Sequence, residues 1–278
     1  MPSIGLMAGW EEIGDAVFVR RYSFYDQNIG VVLGGGEALV IDTRTTHRQA
    51  DELRDHVREL TAAPVRVVVN THGHYDHCFG NARFRPAVIW GHERCVSFLR
   101  QTGERQRAAV IAELPDLAGD LEQVVIDPPD RTMAERAEVA VGDRRVELTY
   151  LGRGHTDSDI VVTVPGTGVL FAGDLLENGN PPYFGDGFPL DWPATAERLL
   201  ALTGDRTTVV PGHGDLVGRD FVADSHGSFR AIANLARRAH AGGLSVDDVL
   251  PEAPWGAGPL IREALERGLA QARGDLDP

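Results

Sequence analysis

Thr71–His77 reads Thr-His-Gly-His-Tyr-Asp-His, which places three imidazoles and one carboxylate within six residues. Borderline cations such as zinc take imidazole nitrogen and carboxylate oxygen as ligands. On extended chain, residues i and i+2 project to the same side, so His72 and His74 can reach one ion. Asp76 and His77, a turn further on, face a second ion if the chain begins to coil there. A structural zinc site would normally bring more cysteine, and Cys78 and Cys95 are the only cysteines. The plainer reading, a polar loop that caps a helix opening at Asp76, does not account for four metal-competent groups at the end of an apolar run.

That run is Val65–Asn70, β-branched and, apart from Arg66 and the closing Asn70, apolar, as a buried strand requires. Around it the chain alternates strand and helix signals. Residues 28–42 read as a β-hairpin turning at Gly34-Gly35-Gly36, preceded by a strand over Val17–Arg20 and the aromatic turn Tyr22–Tyr25. Residues 46–62 carry Leu53, Val57 and Leu60 on one helical face. Ala87–Trp90 reads as a strand, Glu93–Gln101 and 104–118 as two helices, and the acidic, Pro-containing stretch 119–138 as a connector. Val139–Tyr150 is a hairpin turning at Gly142-Asp143, and Ile160–Phe171 a second around Pro165-Gly166, its last strand ending at Gly173-Asp174. Ala194–Leu202 is a helix, Thr208–Val210 a strand, 219–240 a long amphipathic helix and 258–272 a last helix. The tail Gly274–Pro278 is expected to fray.

Three lone polar groups recur after strands: His155 in the loop Gly152–Asp159, Asp174, and His213 in Pro211-Gly212-His213-Gly214. Each is flanked by glycine, which allows close backbone approach. Taken singly, these would be ordinary loop and turn residues. Ligands gathered at the ends of core strands are where a sheet scaffold holds a site rigidly.

The segments HGHYDH (72–77), GHTDSDIVV (154–162), GD (173–174) and PGHG (211–214) resemble, in order, spacing and neighbours, the metallo-β-lactamase superfamily. The resemblance runs from about Val17 to about His240. It implies an α/β fold, a four-layer αβ/βα sandwich of two mixed β-sheets flanked by helices, where periodicity alone supports only α/β or α+β. It implies one domain over residues 1–278, with a core at about 17–240 and a C-terminal helical tail at 241–278. It implies that His72, His74 and His155 hold one metal, that Asp76, His77 and His213 hold a second, and that Asp174 bridges them. The implied cofactors are two Zn2+, with iron or manganese as alternatives. The implied chemistry is attack of a metal-bridged hydroxide on the carbonyl carbon of an ester, thioester, lactone or amide, with Asp76 orienting the nucleophile and relaying its proton.

Within the superfamily, β-lactamases of the nearest pattern carry cysteine where this chain has Asp174, and they are exported. A β-lactamase-like amide hydrolase is therefore the second expectation. A mononuclear iron enzyme oxidising sulfur is a third, although such members generally lack the full second ligand set that Asp76, His77 and His213 supply here. A non-catalytic metal-binding protein is a fourth. The chain carries no inserted domain of the nucleic-acid-processing kind, and the stretch after His240 is short for the helical domain of glyoxalase II enzymes.

The Leu175–Pro193 loop follows Asp174 directly, and Tyr183, Phe184, Phe188 and Trp192 in it are candidate pocket residues, with Tyr75 inside the motif. Cys78 reads as a small buried thiol behind the site, and Gly80-Asn81 shapes the turn after the motif. His47, His56, His92, His226 and His240 read as surface or structural.

A net charge of −14, from 27 Lys and Arg against 41 Asp and Glu, disfavours nucleic acid and anionic membrane as partners and leaves a small-molecule substrate. Met1–Asp15 has neither a basic n-region nor an apolar h-region, and no window approaches a membrane span. With two cysteines and no disulfide framework, the expected location is cytoplasmic. Monomer and homodimer fit the composition equally.

Overall fold

In the structure, a computed structural model, residues 9–276 are described. Most of the N-terminal segment read for a signal and the last two residues of the tail lie outside them. The chain divides into two compact units: residues up to Tyr150 with Ile160–Phe171, and Leu151–Asp159 with the chain from Ala172 onward.

The first unit begins as an antiparallel meander of β1 (Glu11–Gly14), β2 (Val17–Tyr22), β3 (Gln27–Gly34) and β4 (Glu37–Ile41). The hairpin over 28–42 forms as its pattern requires. Thr46 then starts α1 (His47–Leu60) by accepting from the Gln49 amide, and the helix buries Ala50, Leu53 and Val57. This crossover returns the chain to β5 (Val65–Val69), which pairs parallel with β4, Ile41 opposite Val69. The two strands therefore end side by side, with Asp42 after one and Asn70-Thr71-His72 after the other. Val67, Val68 and Val69 are buried, in keeping with a strand covered on both faces.

After the short α2 (Tyr75–Cys78), β6 (Val88–His92) adds parallel to β5. Two helices were expected over 93–118, and one forms instead: α3 runs unbroken over Glu93–Glu113. Gly103 costs a helix interior about 1 kcal/mol, but Leu99, Gly103 and Val110 are buried on one face, where Leu99 and Val110 join Leu121 and Val124 in a cluster. Packing outweighs propensity there. The stretch read as a connector holds α4 (Ala118–Glu122) and β7 (Arg131–Met133), the latter parallel to β6. Three residues are too few to show a period. Antiparallel β8 (Arg136–Val141), β9 (Arg144–Tyr150), β10 (Ile160–Val164) and the start of β11 (Val169–Glu177) complete the unit. Parallel and antiparallel pairings coexist, so the sheets are mixed.

The second unit takes the loop Leu151–Asp159 and the remainder of β11. It continues with α5 (Trp192–Leu202), β12 (Thr208–His213), α6 (Arg219–Gly242), α7 (Val246–Val249) and α8 (Pro259–Arg273). Two strand ends differ from expectation. β11 runs past Asp174 to Glu177, and β12 runs through Pro211-Gly212 to His213. Gly173 takes a left-handed φ of +54° inside β11 without ending it. Trp192 stacks on Phe229 at 4.5 Å between ring centroids, and Phe184 lies 4.8 Å from Trp192, forming an aromatic core between α5 and α6. Among the described residues, no helix is long and apolar enough to cross a membrane.

Candidate metal centre

In the first unit, β5 ends at Val69 and a bend over Thr71–Gly73, rather than the extended chain expected, brings His72 beside His74, after which α2 turns Asp76 and His77 onto the next step. All four are buried. They form two pairs: His72 Nε2 lies 3.1 Å from His74 Nδ1, and His77 Nε2 lies 3.3 Å from Asp76 Oδ2.

In the second unit, His155 and Asp174 are buried and His213 is partly so. Asp174 Oδ2 lies 3.5 Å from His155 Nε2 and 3.3 Å from His213 Nε2. One carboxylate oxygen thus faces two imidazoles. Gly212 makes this arrangement possible, because a Cβ there would collide with Asp174 Oδ1.

These distances provide a test of fit. Two donors bound to one tetrahedral zinc at about 2.0–2.1 Å stand roughly 3.3 Å apart. All four spacings fall close to that value. The seven side chains all belong to His/Asp groups able to hold a metal ion.

The ring orientations agree. His155 Nδ1 lies 3.1 Å from the Tyr183 carbonyl, which can only accept, so Nδ1 carries the proton and Nε2 presents its lone pair. His77 Nδ1 lies 2.8 Å from Asp42 Oδ2, with the same consequence. Such a partner on the far nitrogen fixes the tautomer and raises the basicity of a ligand imidazole. Asp42 also accepts from the Thr71 amide and the Thr71 hydroxyl, both at 2.8 Å, and Thr71 Oγ1 lies 3.1 Å from His72 Nδ1. The turn is held from below as well. The His77 carbonyl accepts from the Thr43 amide at 2.9 Å and from Asn70 Nδ2 at 3.2 Å, and Gln27 Nε2 donates to the Asp76 carbonyl at 2.5 Å.

Asp42, Thr71, Thr43, Asn70 and Gln27 were not singled out in the sequence. The available signal was position: Asp42 and Asn70-Thr71 are the first polar residues after the apolar runs of β4 and β5.

The other candidates resolve by packing. Cys78 is buried and donates its thiol to the His74 carbonyl at 2.9 Å. Burial pushes that thiol's pKa well up, which suits a packed residue rather than a reactive one. Tyr75 packs edge-on against Tyr25 and Phe79, and burial raises its phenol pKa too. Phe184 and Trp192 are fully buried in the core of the second unit and Phe188 is nearly so, whereas Tyr183 is 41% exposed. Trp192 and Tyr183 nevertheless flank His155, with ring centroids 5.9 and 6.1 Å away. Gly80 donates its amide to the Arg44 carbonyl, and Asn81 bridges Asn70 and Asp127. Of the remaining histidines, His92 caps α3 through the Arg94 amide and His56 meets Tyr22 Oη at 2.9 Å.

Comparison with known proteins agrees with this chemistry. The family model of the metallo-beta-lactamase superfamily matches residues 22–213. A metallo-beta-lactamase type 2 of Bacteroides fragilis is 25% identical over 207 residues, covering 73% of this chain and 75% of that protein. One from Bacillus cereus is 27% identical over 194 residues, covering 68% of each. The solved structure of a metallo-beta-lactamase from Pontibacter korlensis superposes with a TM-score of 0.62 at 22% identity, covering 80% of this chain and 98% of that one. That likeness shows the fold, an αβ/βα sandwich with mixed sheets. With its buried His/Asp groups and a family match over most of its length, the chain belongs to the metallo-beta-lactamase superfamily and is a metal-dependent hydrolase.

Proposed function

We propose that the protein is a dinuclear hydrolase that cleaves an ester, thioester, lactone or amide of a small molecule at its carbonyl carbon. His72, His74 and His155 serve one ion, Asp76, His77 and His213 serve the other, and Asp174 is shared. The observation that carries this reading is Asp174, whose Oδ2 stands at ligand-edge distance from both His155 and His213. The family match from residue 22 to 213 draws on both compact units, which supports a single working domain.

Two ions held there, zinc in the first instance, would supply Lewis acidity and would lower the pKa of a water towards roughly 7. The protein's own groups do the rest. Asp42 and the Tyr183 carbonyl hold protons on the Nδ1 atoms of His77 and His155, which keeps both Nε2 atoms basic. Asp76, anchored through its main chain by Gln27, orients the attacking water and takes up its proton at the carboxylate. Burial of the histidines lowers the local dielectric, which strengthens every charge interaction at the centre.

A second reading, cleavage of the β-lactam amide, is favoured by the names of the relatives from B. fragilis and B. cereus. A panel of zinc-loaded assays with an aryl ester, a thioester, a lactone and a β-lactam separates the two. Turnover concentrated on the first three supports the main reading, and turnover concentrated on the β-lactam supports the second. No turnover on any member, with oxidation of a thiol substrate instead, overturns both.

A further inference from the structure

We propose that Arg267 on α8 is a recognition residue for an anionic group of the substrate, a carboxylate, bound beside the His155 face of the centre. The inference rests on the hydrolase reading above and adds a substrate class to it.

Its position follows from the loop between β11 and α5. Arg267 Nε donates to the Gly187 carbonyl. Gly187 itself lies against Gly154, a Cβ on it standing 3.2 Å from the Gly154 carbonyl, and the Phe188 amide donates to that carbonyl at 2.8 Å. Gly154 immediately precedes His155. The guanidinium is therefore two short contacts from the residue next to a metal-competent imidazole. The Tyr183 ring flanks that imidazole, its centroid 6.1 Å from the His155 ring.

The placement is made rigid by neighbours that do not use up the charge. Leu190 donates its amide to Gln271 Oε1 at 2.8 Å, and Arg237 donates to the Leu190 carbonyl at 3.0 Å. Both contacts hold the loop to α8 and α6 without engaging Arg267. A second arginine, Arg153, lies over the same Phe188 ring that Arg267 faces, at 4.5 and 5.8 Å to the centroid. Their situations differ. Arg153 is neutralised by Asp191, with Nε and Nη2 at 2.8 and 2.7 Å from one carboxylate oxygen. Arg267 has no such fork. Asp186 and, on its own helix, Glu263 act on it through space without a hydrogen bond.

Burial pulls the Arg267 pKa down from the usual arginine range, the sign of a cation that has lost water without gaining a tight counter-ion. A guanidinium engaged only through Nε retains a planar pair of N–H donors, the geometry that takes a carboxylate. The exposed Tyr183 ring beside His155 favours a substrate whose carboxylate is joined to the scissile carbonyl by a short apolar link.

The test compares the zinc-loaded protein with Arg267→Met and Arg267→Lys. The substrates are the 4-nitrophenyl hemiester of glutaric acid and its neutral methyl ester. The ratio of kcat/KM for anionic over neutral substrate should fall about tenfold or more in Arg267→Met, since a charge-assisted hydrogen bond is lost, and be partly restored in Arg267→Lys. A merely structural role would lower both substrates in parallel and leave the ratio unchanged, which overturns the proposal. Calorimetry with phenylacetate and phenylacetamide reads the same site without turnover. The acid should bind the wild type more tightly than the amide, and Arg267→Met should remove that preference. Equal binding of the two by the wild type overturns the subsite even if the esters are cleaved. Preference for the acid without cleavage of either ester supports the subsite and counts against the hydrolase reading alone.

Discussion

Asp42 Oδ2 lies 2.8 Å from His77 Nδ1, and the same carboxylate accepts from both the amide and the hydroxyl of Thr71. A single buried side chain thus orients a metal-competent imidazole and pins the backbone where the histidine motif begins. This is possible because β4 and β5 are parallel and adjacent, so their C-terminal ends meet.

Asp42→Asn keeps the shape, and asparagine tolerates the left-handed backbone that Asp42 adopts at φ +65°. It removes the charge that holds the His77 proton. Metal affinity should fall by about 10- to 100-fold with secondary structure intact. Titration against a chromophoric chelator measures it, and unchanged affinity would show that Asp42 only packs.

Gly212→Ala places a methyl against Asp174 Oδ1. The carboxylate must swing away from His155 and His213, or β12 must move. Bound metal should drop while circular dichroism stays near wild type. A variant that retains full metal content would refute the placement of Asp174 as shared ligand.

His74→Ala removes one member of the His72–His74 pair, whose nitrogens stand 3.1 Å apart. Loss of metal and turnover with preserved secondary structure is the expected result. Retained turnover would refute the role of the motif.

Asp130 gives a prediction on stability. Burial by itself would raise its pKa, but the Ile89 amide at 2.9 Å and the Arg85 guanidinium outweigh that and hold it low. A depressed carboxylate contributes stability above its unfolded pKa of about 3.9, and that contribution is lost as pH falls through the lower folded value. The melting temperature of wild type should exceed that of Asp130→Asn near pH 7, and the gap should close below about pH 4. A gap independent of pH would mean that the ion pair contributes nothing; the side chain is about half exposed, so the gap should be modest.

How much of this was legible in the sequence depended on how far each signal reached along the chain. The histidine motif was readable because its donors sit within six residues at the end of an apolar strand. The β3–β4 hairpin and α1 were readable from turn glycines and one helical face. By contrast, β7 spans three residues and exists because β6 offers it an edge, so no local pattern marks it. The run through Thr102-Gly103 reads as a helix break, yet α3 continues because its buried face packs on the Leu121–Val124 segment. Gly173 and Pro211-Gly212 read as strand ends, yet both strands continue far enough to set Asp174 and His213 within strands rather than on loops. Asp42 was missed for the same physical reason: its partners His77 and Thr71 are 35 and 29 residues away, and only strand pairing brings them to it.

Metal content measured together with hydrolysis bears most directly on the dinuclear reading. The purified protein should hold about two zinc ions per chain, lose hydrolysis when a chelator strips them, and recover it on reloading. One iron per chain, with no hydrolysis restored by zinc, would contradict it.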